Sequence, residues 1–140
     1  MTTFVAEETA PSPTRSVVRT ERAPAPYHGA PYSQAVRAGD LLFVSGQVAL
    51  DPESHEVVGD TIEAQTERVL SNLEAILQAA GSSLDQLVKT TVFLTDWADF
   101  EGMNEVYASR IGSIPPARAT AGITLPPGLL VEIDAVAVVP

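Results

Sequence analysis

Leu129–Val139 alternates with a period of two: Val131, Ile133, Ala135 and Ala137 fall on one side, Glu132 and Asp134 on the other. Such a strand needs ladder partners for its backbone and a cover for its apolar face. The rest of the chain must therefore supply a sheet and something to lay over it. Ile62, Val69, Leu73, Ile76, Leu77 and Ala80 recur at helical spacing with Glu63, Glu67 and Glu74 between them. Asp60 as N-cap with Glu63 three residues on reads as a capping box, and Gly81 ends that helix. A second helix starts near Asp96, carries Phe100, Met103, Tyr107 and Ile111 on one stripe, and stops at Gly112. Gln34–Ala38 and Leu41–Leu50 are strands joined by the turn Gly39-Asp40, and Val57-Val58 is a short strand after the turn 51–56. Leu87–Leu94 and Ala117–Ile123 complete the set, with Pro115-Pro116 and Pro126-Pro127-Gly128 as breakers. The order β-β-β-α-β-α-β-β predicts an α+β fold: one mixed sheet with two helices packed on one face.

The N-terminal stretch reads differently. Five of the eleven prolines precede Tyr32, among Ser, Thr and Ala. Proline density removes ladder donors, so residues 1–25 read as a flexible tail with little to bury, and 26–140 as the single domain. Glu7 and Glu8 sit where a secretory leader would be basic and then apolar, which points to the cytoplasm. No apolar run reaches membrane-spanning length.

Composition removes several chemistries. The chain has no cysteine and two histidines, His28 and His55, so thiol nucleophiles, thiolate metal sites and three-His zinc are out of reach. His55 lies in a turn with no nucleophile-elbow pattern, and there is neither a Walker loop nor a GxGxxG. No metal and no cofactor are expected. The net charge of −10 divides unevenly, with +1 over residues 1–39 and −11 over 40–140. Such a body repels phosphate backbones and argues against a nucleic-acid partner. It does not exclude a small anion, for which only Arg68, Lys89, Arg110 and Arg118 are available in the body. Arg118 is the one basic residue of the last two strands and Glu132 the one glutamate. On residue type alone, Arg118 reads equally as an edge-strand arginine in water, and Glu132 as a surface carboxylate.

Six short stretches occur in order: Pro31-Tyr32-Ser33-Gln34-Ala35, Phe43-Val44-Ser45-Gly46-Gln47, Val88–Leu94, Met103-Asn104-Glu105-Val106-Tyr107, Pro116-Ala117-Arg118 and Val131-Glu132-Ile133. Together they resemble the reactive intermediate deaminase family (Rid, or YjgF-type), over about Pro26 to Val138. The resemblance implies a chorismate-mutase-like fold, a homotrimer with sites between subunits, and hydrolysis of enamine or imine intermediates such as 2-aminoacrylate to 2-oxo acids and ammonia. It also implies that Arg118 grips the substrate carboxylate and Glu132 holds the attacking water. Tyr32, Ser45, Gly46, Asn104 and Thr120 would then contact substrate. The chain departs from the family pattern at Ala30, where glycine is usual, and at Ala119, where serine is common. Both bear on substrate choice more than on reaction class. The chemistry suits the residues: a guanidinium binds a carboxylate through two parallel bonds, the C=N carbon is already electrophilic, and one carboxylate can take a proton from water. The alternative is a non-catalytic trimer of the same fold that binds small carboxylates or a protein partner.

Overall fold

The computed structural model describes residues 14–140. In chain order the elements are β1 (Arg15–Val18), β2 (Ala35–Ala38), β3 (Leu41–Val48), α1 (Ile62–Ala79), β4 (Leu87–Leu94), α2 (Phe100–Arg110), β5 (Ala117–Gly122) and β6 (Val131–Val138). Across the single six-stranded sheet the order is β1-β2-β3-β6-β4-β5. All neighbours are antiparallel except β4 and β5, a parallel pair that α2 connects, as a crossover must.

The alternation in the last strand sets the layering. Val131, Ile133, Ala135, Ala137 and Val139 are buried, and α1 packs against β3 and β6 with α2 beside it. Leu42, Val44, Val92 and Leu94 join that side of the sheet, and Val69, Leu70, Leu73, Ile76 and Leu77 close the core from α1. The opposite sheet face has no cover among the described residues. Val17, Leu41 and Phe43 are exposed there, with Val136 and Val138 half-buried beside them.

Several local expectations shift. The N-cap of α1 is Thr61, not Asp60: its side chain accepts from the Ala64 N–H at 3.1 Å, so no capping box forms with Glu63. The C-terminus behaves as read. Gly81, at φ +80°, permits the bonds from Gly81 N–H to the Gln78 carbonyl and from Ser82 N–H to the Leu77 carbonyl, a Schellman ending. Val57 makes one isolated bridge to Leu50, and no strand forms at Val57-Val58.

The first strand is instead β1, inside the stretch read as a tail. It pairs antiparallel with β2 at the sheet edge. The reason lies with Gln34, which is buried and surrounded by the chain that precedes it. Its side-chain oxygen accepts from Thr20 N–H at 2.7 Å, and its amide donates to the carbonyls of Thr20, Ala23 and Pro24. Residues 15–25 are therefore docked, while the part of the tail before Thr14 lies outside the described residues. Removing residues 1–20 strips an edge strand and leaves part of a buried amide unpaired, a loss of about 1–3 kcal/mol. The melting temperature of a chain starting at Glu21 should fall accordingly. An unchanged value would show that β1 and the Gln34 clamp stabilise nothing.

Candidate active site

Arg118 and Glu132 sit on opposite faces of the sheet. Glu132 pairs with Phe93 across β6–β4, and Arg118 with Thr90 across β5–β4. Thr90 and Phe93 are three positions apart on one strand, so their side chains point to opposite sides. Thr90 is buried toward the helices. The two residues singled out from the sequence therefore belong to two separate half-sites.

The first half-site is built on β5 and α2. The Tyr107 hydroxyl and Thr90 Oγ1 are hydrogen-bonded at 2.7 Å, which fixes the ring beneath the edge strand. The Arg118 guanidinium carbon lies 5.0 Å from that ring's centre and 5.7 Å from the centre of Phe100. Among the described residues it forms no hydrogen bond and no ion pair. This contrasts with Arg110, whose guanidinium bridges Glu67 and Glu74 at 3.1 Å each. In a body of charge −11, a guanidinium held over two rings with its donors open is set up for an anion from outside. Thr120, two residues along β5, shares its face. Helical spacing puts Asn104 on the α2 face that also carries Phe100 and Tyr107.

The second half-site lies on the other face. Tyr32, Gly46 and Glu132 line one cavity of about 170 Å³, together with Tyr27, Val48 and Leu129. A larger groove beside it shares Tyr32 but does not reach Glu132. Between Val44 and Gln47 the β3–β6 register shifts, and the Glu132 carboxyl occupies the space over Gly46. A Cβ there would come within 2.8 Å of the Glu132 carboxyl carbon, so any other residue at 46 would displace the carboxyl from this place. Burial without a hydrogen-bond donor pushes the Glu132 carboxyl above its ordinary range, and the charge of Asp134 on the same face adds to the shift. Tyr32 Oη accepts the Tyr27 N–H at 2.7 Å, which leaves the phenol its own proton to donate. Ser45 adjoins the cavity rather than lining it: its hydroxyl donates to the Ser33 carbonyl at 2.6 Å and anchors the segment behind Tyr32.

Three of the seven residues marked from sequence thus line one cavity (Tyr32, Gly46, Glu132), Asn104 and Thr120 lie on the α2 and β5 faces that also carry Tyr107 and Arg118, and Ser45 supports the segment behind Tyr32. Tyr27 carried no role in the sequence reading, yet it lines the cavity. The signal that could have found it is an aromatic residue between Pro26 and Gly29, five positions before Tyr32. Among the described residues no group of three or more His, Asp or Glu side chains is placed to hold a metal ion, and no helix is long and apolar enough to cross a membrane.

The family model described as endoribonuclease L-PSP matches residues 20–139. A RutC family protein of Pyrococcus horikoshii is 48% identical over 124 residues, which are 88% of this chain and 97% of that protein. The chloroplastic Reactive Intermediate Deaminase A of Arabidopsis thaliana is 44% identical over 124 residues, 88% of this chain and 65% of that protein. Among solved structures, E. coli TdcF with bound serine superposes with a TM-score of 0.81 at 36% identity, covering 88% of this chain and 98% of TdcF.

Proposed function

Because the chain belongs to the endoribonuclease L-PSP family, which takes in Rid and YjgF proteins, we propose that it hydrolyses 2-imino acids and their enamine tautomers, of the 2-aminoacrylate kind, to 2-oxo acids and ammonia. The observation that carries this reading is the open guanidinium of Arg118, held over two aromatic rings in an acidic body. The RNase in the family's description has less support here, since a charge of −11 over residues 40–140 repels a phosphate backbone. That a relative of known structure binds serine supports a small carboxylate as the ligand.

Arg118 binds the substrate carboxylate by a two-point fork, which orients the C=N carbon. Water adds to that carbon while the Glu132 carboxylate takes one of its protons and passes it to the nitrogen, giving a carbon that bears both hydroxyl and amine. Glu132 then carries the hydroxyl proton to the amine. The C–N bond breaks, the carbonyl forms, and ammonia leaves. Both protons of the water end on nitrogen and its oxygen on carbon, so no redox partner enters. Burial makes the Glu132 carboxylate a stronger base than an ordinary glutamate, which suits a group that must both take and return a proton.

The opposed faces require two copies of the chain to complete one site. The uncovered sheet face, with Leu41, Phe43, Val136 and Val138, supplies the apolar surface for that assembly, which we take to be a homotrimer. Sedimentation should give three chains per particle; a stable monomer would remove the shared site. Freshly generated 2-aminoacrylate should release ammonia faster with the protein than in buffer. Mixing and reassembling inactive Arg118→Ala and Glu132→Gln subunits should restore about a quarter of the sites, since each then draws one intact half from each variant. Mixtures no more active than their parents would mean that both residues act from the same subunit, or not at all.

A further inference from the structure

Resting on the hydrolase reading, we infer that Tyr27 sets substrate choice, and that the cavity beside Glu132 takes 2-imino acids with branched aliphatic or phenyl side chains in preference to three-carbon substrates. The cavity measures about 170 Å³, and its lining away from Glu132 is mostly apolar, with Tyr27, Tyr32, Val48, Leu50 and Leu129 among it and Gln47 as a polar member. An apolar cavity of about 150 Å³ accommodates benzene, so the space beside Glu132 exceeds what the single CH₂ of 2-aminoacrylate can fill. Unfilled, such a wall contributes nothing to binding. Filled, each further methylene it covers improves affinity about fourfold.

Tyr27 is 44% exposed and stands at the rim of the cavity, where its backbone and its neighbour His28 hold it. Its backbone N–H donates to Tyr32 Oη at 2.7 Å, which ties the Tyr32 ring to the backbone that carries Tyr27. Its ring meets the His28 ring edge-on with centroids 4.0 Å apart. His28 and Gly29 are both in the left-handed region, at φ +53° and +67°. For histidine that backbone is strained, and strain of this kind persists only where the surroundings hold it. The turn from Tyr27 to Gly29 thus pushes one ring toward the cavity at a conformational cost. The Tyr27 hydroxyl has no hydrogen-bond partner among the described residues, so the position depends on the ring.

The experiment generates imines in situ from alanine, leucine and phenylalanine with an amino-acid oxidase and follows their loss. The leucine- and phenylalanine-derived imines should show kcat/KM at least tenfold above the alanine-derived one. Tyr27→Ala should bring that ratio close to one, and Tyr27→Phe should keep it. Because the N–H bond to Tyr32 is a backbone bond, both variants retain it, and thermal melts report whether either is misfolded. A wild-type ratio near one, or a ratio unmoved by Tyr27→Ala in a folded protein, would overturn the inference and leave the hydrolase reading intact. No acceleration of any of the three imines would overturn the hydrolase reading and this inference with it.

Discussion

Arg118→Ala should lower kcat/KM by two to three orders of magnitude or more while the protein stays folded. Leaving a desolvated carboxylate without its cationic partner costs about 3–5 kcal/mol, and each 1.4 kcal/mol is about a factor of ten. Stability should change far less. The guanidinium lies over Tyr107 and Phe100 on an edge strand and bonds no other group among the described residues, so its loss removes cation–π contacts of about 0.5–1 kcal/mol each. Arg118→Lys should rescue only part of the activity, since an ammonium cannot reproduce the two-point fork. Steady-state kinetics and thermal melts on the same preparations separate the two effects. A lysine variant with full activity would show that fork geometry at this position is irrelevant.

Glu132→Gln should act on turnover. The amide keeps the shape that fits over Gly46, so packing is conserved while the base is lost. A general base is worth about 10²–10⁴ in rate, and kcat should fall by that factor. A binding role predicts a raised KM with kcat unchanged, and a surface carboxylate predicts no change in either. The pH profile gives an independent check. Burial and Asp134 both raise the Glu132 carboxyl, and catalysis needs it ionised. The acid limb of kcat/KM should therefore lie above the range of an ordinary glutamate, and it should vanish in the glutamine variant. The sign for stability is opposite. The folded state holds this proton more tightly than the unfolded chain, so stability falls as pH rises from the ordinary carboxyl range to the raised one. Glu132→Gln should remove that fall.

The sheet's last strand and the long helix were readable because a buried face imposes a period, and Val131–Ala137 and Ile62–Ala80 keep theirs without interruption. β1 was not readable. Arg15-Ser-Val-Val is short, lies at the sheet edge and sits among prolines; it is held by pairing with β2, and the chain just after it by the amide of Gln34, more than a dozen positions away. Helix entry moved from Asp60 to Thr61 because both residue types can cap and backbone geometry, not their ranking, decides between them. At the site, residue types identified the participants but not their sides. Whether Arg118 and Glu132 share a face depends on the register of β4 against both neighbours, and β4 carries an irregularity near Val88 that no spacing in the sequence announces. Tyr27 escaped notice for a related reason: its role comes from a strained turn that only the folded backbone displays.

The position of β6 also governs how the molecule comes into being. It lies inside the sheet between β3 and β4, and it is the last of the strands in chain order. Leu42 finds its partner Ala137 only 95 positions later along the chain. Contacts of that span close slowly, and during synthesis they close last of all. Until Val131 and its successors are made, β3 and β4 each present an unpaired edge with apolar residues behind it. A chain cut short before Val131 is thus not a smaller working protein but two open edges in search of any strand that will pair with them.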